Sequence, residues 1–422
     1  MKKLACAVCS VVLALLGMTV TAFAQESDQV PTNFLSNKNS IHAALSPRGH
    51  RNGQGHATFG IANVDTIRNF NKHFEASGVD QNGNPQVTWY YNMVGAPPEH
   101  GGTTTINAPI VPVSLDLRNA DGSPRFVNGH RLFYDVTPFI APTVNSPVFQ
   151  NTNWTSSPVP TQYTDAVQRA EFFSMEKSDW HTLLSPAVAS TKVMVFLRGT
   201  YRFALNPDGT CCLFVLIDAN TFVNELFPST FPFDNSTPVG AAENLGEVTT
   251  KDISTFLFPN AFLFVNGNPN QCCILGFHTF DFEPGIPSNG NLPRFFVLNY
   301  SSWISPGLFG GGFEDVTATS HEMSETFNDP FVTFDGIHDV VPWWTSGGNC
   351  QDNLEDGDVI EGLPNAVFPV PLNGMTYHPQ NEALLQWFEF QSPSSALGGA
   401  YSFPDPTTLV NLSLPQKLGC AP

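Results

Sequence analysis

The sequence predicts an α+β protein in which a large, mostly antiparallel β-sheet region carries few helices. Two segments, 193–217 and 261–277, each have apolar runs on both sides of a turn rich in Asn, Pro and Gly, which is typical of β-hairpins. Two others, 163–176 and 316–327, change to a helical period. Charged residues make up only 13% of a chain with 35 prolines and 33 glycines, which favours a β-rich, loop-rich secreted protein.

Residues 1–24 have the features of a cleaved secretory signal peptide. Two lysines precede an apolar run, and the sequence Ala-Phe-Ala at 22–24 matches the small-x-small pattern of a cleavage site. Residues 25–78 are polar and rich in Gly and Asn, so we expect a flexible or irregular segment, followed by a β-rich domain over 79–422. No later apolar stretch reaches the ~18 residues of a transmembrane helix, which predicts a secreted or periplasmic protein without such a segment.

Further strands and helices are predicted from the apolar pattern along the rest of the chain. Strand-like runs separated by Gly, Asn and Pro turns occur at 87–94, 103–117, 131–136 and 295–304. In the segment 163–176, Val167, Ala170 and Phe173 share one helical face, which predicts a core helix. An amphipathic pattern at 381–390 predicts another helix.

The charge balance bears on the partners of this protein. A formal net charge of −19 at pH 7, from 37 acidic and 18 basic residues, makes most of the surface repel polyanions. We therefore expect no nucleic-acid partner. The sequence leaves the oligomeric state open.

Cysteines follow the predicted cleavage site in an even number, which favours disulfides in an oxidising compartment. Neighbouring side chains of a strand point to opposite faces, so four cysteines in two strands do not easily meet on one metal ion. We expect a bridge between the two Cys-Cys strands and another from Cys350 to Cys420. The six cysteines are Cys211, Cys212, Cys272, Cys273, Cys350 and Cys420.

The segment 313–330 sets a histidine and two glutamates at helical spacing. His321 and Glu325 are one turn apart on the same face and could hold one metal ion together. In the zincin motif H-E-x-x-H, the outer residues bind zinc and the glutamate beside the first histidine accepts a proton from the metal-bound water, a role that falls to Glu322 here. Glu325 in place of the second histidine allows divalent cations other than zinc. The alternative is a solvated acidic helix face.

A catalytic metal usually has three protein ligands and an open water position. Glu355 and Asp358 form an E-x-x-D pair that resembles the gluzincin arrangement, in which a later glutamate completes the site and a nearby aspartate orients the first histidine. We predict Glu355 as the third ligand and Asp358 as its supporting aspartate. A solvated acidic loop that holds calcium is the alternative.

Tyr377 and His378 follow this segment. Either could donate a hydrogen bond to a developing oxyanion, and both are predicted as candidates for that role. Packing at the protein surface is the simpler explanation for both residues.

The sequence SHEMSETFNDPF, followed by PWW and the E-x-x-D segment, resembles a broad group of uncharacterised secreted bacterial proteins with an S-H-E-x-x-E…D-P motif. More distantly, it is similar to plant Exordium-like, phosphate-induced secreted proteins. The sequences SPVFQ, TQYTDAVQRAEFF and CCILGFHT extend the resemblance over roughly residues 128–390. The resemblance implies a zinc-dependent peptidase fold with His321 and Glu325 in the metal positions and Glu322 as base.

Two functions follow from these observations. The first is a secreted metal-dependent hydrolase, a zincin-like peptidase that uses a metal-bound water, with zinc or another divalent cation as cofactor and a peptide or protein as substrate. The second is a non-catalytic extracellular binding or matrix module, in which the same acids hold a structural cation or no metal. A serine hydrolase is disfavoured because no G-x-S-x-G sequence occurs.

Overall fold

The computed structural model describes residues 28–36, 38, 63–76, 87–229, 235–332, 343–344, 350–351, 354–410 and 412. The predicted signal peptide lies outside these ranges, so secretion stays a prediction. The mixed α+β class is confirmed. Within the described ranges, no helix combines the length and the apolar character needed to cross a bilayer.

The strands of the first half are β1 (Asn69–Ala76), β2 (Val87–Val94), β3 (Thr103–Arg118), β4 (Phe126–Val127), β5 (His130–Arg131), β6 (Phe133–Tyr134), β7 (His181–Val188), β8 (Lys192–Leu197), β9 (Tyr201–Leu205) and β10 (Cys211–Asp218). Those of the second half are β11 (Ile253–Pro259), β12 (Ala261–Phe264), β13 (Cys272–Ile274), β14 (Gly276–Glu283), β15 (Arg294–Trp303), β16 (Trp343–Trp344), β17 (Cys350–Gln351), β18 (Val370–Leu372), β19 (Met375–Tyr377), β20 (Glu382–Ala383) and β21 (Ser402–Phe403). The α-helices are α1 (Thr137–Val144), α2 (Tyr163–Glu171), α3 (Ala219–Leu226), α4 (Pro238–Asn244), α5 (Thr317–Asn328) and α6 (Leu385–Phe388).

The largest sheet has the order β14-β15-β11-β3-β6, and β7 and β8 also pair with β3. Over all described strands, antiparallel pairs outnumber parallel ones, as predicted. Within this sheet, however, β3 has three parallel neighbours, β7, β8 and β11. Parallel neighbours need long crossover connections, and no short turn in the sequence marks them.

Both faces of this sheet are buried, because alternate residues of its strands enter different cores. Along β3, Val113 and Leu115 belong to one core, whereas Ile106 and Ile110 belong to the other. Helices α3 and α4 pack on the first face, and α5 packs on the second. Strand β14, at one end of the strand order, therefore presents residues to helices on both sides.

A second sheet, of order β13-β12-β10-β9, contains the two predicted hairpins, the first of which begins only at β9 because residues 193–197 belong to β8 and pair with β3. Each hairpin is antiparallel, and they join through a parallel pairing of β10 with β12. The described part of the N-terminal segment that we expected to be flexible or irregular also packs on the domain. Leu35 is fully buried, and β1 pairs with β2.

The prediction that a disulfide bridges the two Cys-Cys strands is wrong. Cys211 bonds to Cys212 and Cys272 bonds to Cys273, in each case across a cis peptide bond. Strand β12 lies between β10 and β13, so these strands are roughly 9–10 Å apart, beyond the reach of a disulfide. The predicted bridge to Cys420 lies outside the described residues.

Of two further predicted helices, one is present but shorter than predicted, and the other is wrong. Helix α2 begins at Tyr163 as expected and ends at Glu171, five residues early, in a turn. The helix predicted at 381–390 is wrong. Glu382 and Ala383 instead pair with β21, which leaves one helical turn, α6, after them.

Substitution of Phe222 provides a test of the first core. Its ring centroid lies 4.6 Å from that of Tyr300 and 5.0 Å from that of Phe258, and the side chain is fully buried. We expect Phe222→Ala to lower the free energy of unfolding by about 3–5 kcal/mol, because it leaves a cavity. Phe126→Ala, at a residue that is 60% exposed, should change it by less than about 0.5 kcal/mol. Urea denaturation of both variants measures the difference, and equal midpoints would contradict this core.

Candidate metal centre

Helix α5 carries the predicted metal-binding motif and is buried along its whole length. Met323 and Phe327 enter the second core, where Phe280 and Val297 from the sheet also lie. The acids of this helix therefore do not form a solvated face, which was the alternative interpretation of the motif.

Two aspartates flank the helix. Asp315 lies just before the N-cap residue Val316, and its Oδ1 accepts a hydrogen bond of 2.6 Å from the Val316 amide. At the other end, the Asp329 amide donates to the Glu325 carbonyl at 2.7 Å. The helix thus begins and ends one residue later than predicted, and Pro330 follows.

His321 and Glu325 contact each other across one helical turn. Nε2 of His321 lies 3.1 Å from Oε1 of Glu325, and the two residues are 9% and 1% exposed. The other oxygen of Glu325, Oε2, lies 3.4 Å from Nδ1 of His278 on β14. Glu325 therefore lies between two imidazoles, and His278 is a candidate ligand that the sequence analysis missed.

The E-x-x-D segment brings two more carboxylates. Oδ1 of Asp358 lies 3.4 Å from Nε2 of His321, and the Asp358 amide donates to Oε1 of Glu325 at 3.2 Å. Donor atoms of Glu355, His278 and Glu325 all lie within 4.8 Å of one another. Because Asp358 contacts the same nitrogen of His321 that faces Glu325, it is itself a candidate ligand.

The spacing of these donor atoms fits a divalent cation. Ligands about 2.1 Å from a tetrahedral zinc ion are about 3.4 Å apart. The separations here between imidazole nitrogens and carboxylate oxygens are 3.1 to 3.4 Å. Imidazoles combined with carboxylates suit zinc and several other divalent cations. Two groups of donors could thus hold a metal, one formed by His278, Glu325 and Glu355 and the other by His321, Glu322 and Glu325, and Glu325 belongs to both.

Glu322 lies beside this donor set and is 4% exposed. Its oxygens are 3.8 Å from Nδ1 of His278 and 3.9 Å from Nε2 of His321, and Oε2 has no hydrogen-bond partner within the described residues. A Cβ atom added to Gly276 would lie 2.5 Å from Cγ and Oε1 of Glu322. The bare backbone of Gly276 therefore sets how closely this carboxylate approaches β14.

One pocket contains all these side chains. His321, Glu322, Glu325, Glu355 and Asp358, which the sequence analysis proposed, line it together with His278. The apolar part of its lining consists of Ile274, Leu275, Phe277, Phe313 and Ala318.

Tyr377 and His378 are not among the residues that line this pocket. The Tyr377 hydroxyl donates to the Pro142 carbonyl at 3.0 Å, and Nδ1 of His378 lies 2.8 Å from Oδ2 of Asp315. Their role as oxyanion donors stays a prediction, and both side chains already have other contacts.

Buried charges shift the pKa values of the site in opposite directions. Burial alone would lower the pKa of His321, but Glu325 and Asp358 raise it well above its usual range. For Glu325, burial opposes ionisation, yet the two imidazoles bring its pKa well below its usual range. Burial raises the pKa of Glu322 to about 7 against the effect of the imidazoles. A cation would replace the imidazole protons, so metal binding should release protons.

A buried polar layer lies behind the site. Oδ2 of Asp356 accepts hydrogen bonds from Oγ of Ser324 at 2.8 Å and from Nδ2 of Asn328 at 2.9 Å. Nδ2 of Asn328 also donates to Glu171 of α2 at 3.0 Å. Burial raises the pKa of Asp356 to about 8, with a further increase from the charge of Glu325. These bonds tie α5 to the segment that carries Asp356 and to α2.

No family model, curated protein or solved structure matches this chain. The resemblance to secreted bacterial proteins and Exordium-like proteins stays a prediction from the motif, and so do zinc and peptidase activity.

Two glycines allow the metal donors and Glu322 to be tested separately. A Cβ atom at Gly357 would lie 2.6 Å from Nδ1 of His321, so Gly357→Ala should displace the ring and weaken zinc binding by ~10- to 100-fold. Gly276→Ala should displace Glu322 and leave zinc affinity nearly unchanged. Gly312→Ala is the control, because no atom lies within 4 Å of its added Cβ. Competition with a chromophoric chelator measures the affinities. Equal affinities of the Gly357 and Gly312 variants would contradict the placement of His321.

Asp356 gives the metal-free protein a pH-dependent stability. Its pKa of about 8 in the folded state exceeds the ~3.9 of an unfolded chain, so the folded protein holds a proton that the unfolded chain loses. The stabilising effect of this proton is complete below pH ~4 and is lost as the pH rises through about 8. In Asp356→Asn this proton no longer titrates. In chelator, we expect the variant's free energy of unfolding to fall less steeply between pH 5 and about 8. Parallel curves from urea denaturation would show that Asp356 is ionised throughout.

Proposed function

We propose that this chain is a metal-dependent hydrolase and, within that class, a secreted zincin-like peptidase. The observation that carries the proposal is the position of Glu325, whose two oxygens face the imidazoles of His278 and His321. Glu322 lies beside them in the same pocket, with a buried oxygen that has no partner within the described residues. Ligand-like nitrogens, a shared carboxylate and a separate base are the groups that metal-assisted hydrolysis needs.

His278, His321 and Glu325 would hold the cation, with Glu355 or Asp358 completing the set. A divalent cation bound there would polarise a substrate carbonyl and make water a better nucleophile at neutral pH. The five candidate ligands come from a strand, a helix and a loop that pack together in the interior. Such mutual support keeps donors in place before a cation binds, which favours tight binding.

Glu322 is the proposed general base. A carboxylate whose pKa is about 7 is partly ionised at neutral pH, and a base near the working pH is the most effective proton acceptor. Glu322 would take a proton from water and pass it to the leaving amine. Gly276 leaves room for the Glu322 carboxylate next to the strand. The imidazoles of His278 and His321 lie within 4 Å of this carboxylate and help to position it.

The pocket lining supports a peptide with an apolar side chain as substrate. Leu275 and Phe313 line the same pocket as the charged donors. An apolar side chain bound against them would bring its neighbouring amide group close to Glu322, since peptide side chains and their carbonyls are only a few bonds apart.

The alternative function is a non-catalytic module in which the same donors hold a structural cation. The buried carboxylates of this region are compatible with such a role, because a cation would offset their mutual repulsion. The two functions differ in what Glu322 does. In a peptidase it is needed for turnover, whereas in a structural site it is one acid among several.

Substitutions separate the base from the ligands. We expect Glu322→Gln to keep its metal and to lose ~10²- to 10⁴-fold in rate, because the amide preserves shape but cannot accept the proton. Glu325→Ala should lose both the metal and activity, since it removes the carboxylate between the imidazoles. His278→Ala should also lose metal, which tests the ligand that the sequence did not reveal. Glu225→Gln, at an exposed residue of α3, is the charge-matched control.

The measurements are metal content by elemental analysis and cleavage of a peptide library. Stoichiometric zinc or another transition metal in the Glu325→Ala protein would contradict the proposed site. Full activity of Glu322→Gln would contradict the proposed base, and metal without activity in the wild type would favour the structural module.

A further inference from the structure

Three more acidic side chains meet on the opposite face of strand β14. Asp281 and Glu283 are two residues apart and so share one face of the strand, whereas His278 lies on the other. Helix α4 brings Glu243 against the same face. Ligand oxygens of these three residues all lie within 4.8 Å of one another.

These carboxylates are enclosed by the protein. Glu243 is 6% exposed, Asp281 is 3% exposed and Glu283 is fully buried. Both oxygens of Glu243 and the Oδ2 atom of Asp281 are buried with no hydrogen-bond donor among the described residues. Buried carboxylate oxygens without donors destabilise the folded protein unless a cation or a proton satisfies them. Glu243 is therefore a buried polar side chain of the cluster, and neither of its oxygens has a hydrogen-bond donor among the described residues.

Within the described part of the chain, one cationic side chain lies next to the cluster. Arg294 is directly opposite Glu283 on the neighbouring strand, with Nη2 3.5 Å from Oε2 of Glu283. With all three carboxylates ionised, one guanidinium leaves a local charge of about −2. One divalent cation would balance this charge.

We propose that Glu243, Asp281 and Glu283 form a binding site for one hard divalent cation, of which Ca²⁺ is the best match. All the donors are carboxylate oxygens, which Ca²⁺ and Mg²⁺ prefer, and no imidazole or thiol is present to favour zinc. Ca²⁺ accepts irregular arrangements of donors, as expected where a helix meets a strand. The site is separate from the candidate metal centre and does not depend on the proposed function.

A cation at this site would join α4 to the outer strand of the sheet. Asp281 lies three residues after His278 on the same strand, so the cation would also hold the strand that carries this imidazole. The competing occupant is a proton, because Glu243 lies close enough to Asp281 to share one with it. If a cation holds the cluster, added Ca²⁺ should stabilise the protein and substitution of these acids should abolish that effect. If a shared proton holds it, substitution of Asp281 should not destabilise the protein in Ca²⁺.

Calcium titration of the full-length protein tests the proposal. After chelator treatment, we expect the wild type at pH 8 to bind one Ca²⁺ at this site by calorimetry and to melt at a higher temperature with Ca²⁺ than without it. Asp281→Asn and Glu243→Gln should each lose this Ca²⁺ and the rise in melting temperature. Glu325→Ala, which disrupts the other centre, and the control Glu225→Gln should keep both. Mg²⁺ in place of Ca²⁺ tests the preference between the two cations.

Several outcomes would overturn the proposal. A wild type that binds no Ca²⁺ outside the centre at Glu325 would do so, even if the variants fail to fold. Retention of the bound Ca²⁺ by both Asp281→Asn and Glu243→Gln would also overturn it. A third such outcome is an Asp281→Asn protein more stable than the wild type in Ca²⁺ at pH 8, which is expected if a shared proton holds the cluster.

Discussion

The contact of Glu325 with two imidazoles is the interaction on which this region of the protein depends. One carboxylate, 1% exposed, faces His321 of its own helix and His278 of the adjoining strand. Without this charge, the two buried imidazoles would face only Glu322, Glu355 and Asp358, carboxyl groups whose pKa values are raised. The burial of α5 and the hydrogen bond from the Asp358 amide keep this carboxylate in place, and the close approaches of Gly276 and Gly357 position its neighbours Glu322 and His321.

The interior contains many more acids than bases, and this imbalance has a consistent consequence. Burial raises the pKa of Glu171, Asp356 and Glu382, which lie behind α5, so these groups tend to be neutral hydrogen-bonding groups. Glu325 differs because imidazoles surround it, and its pKa is lowered instead. Buried glutamates thus tend to be neutral in one layer, whereas Glu325, a candidate metal donor, is charged in the next.

The sequence was informative where spacing along one element decides the geometry. The turn between His321 and Glu325 places both on one face of any helix, and the two hairpins follow from their turns. His278 could not be found in this way, because a single histidine in an apolar strand has no partner at a fixed spacing. Its partner, Glu325, comes from another element, and only the packing of α5 on β14 brings them together. The parallel neighbours of β3 were missed for a similar reason, since crossovers rather than turns connect them.

The long strand β3 has a consequence for how this molecule folds. It pairs in parallel with β7, β8 and β11, which are separated from it by much of the chain. Sheets built from such distant pairings form slowly, because long loops must close, at a cost in entropy, before the stabilising contacts between strands can form. The candidate metal donors, spread from residue 278 to residue 358, lie still later in the sequence and rest on that sheet. A cation at the proposed centre would therefore bind late in folding, and metal content would then measure the fraction of chains that have completed folding.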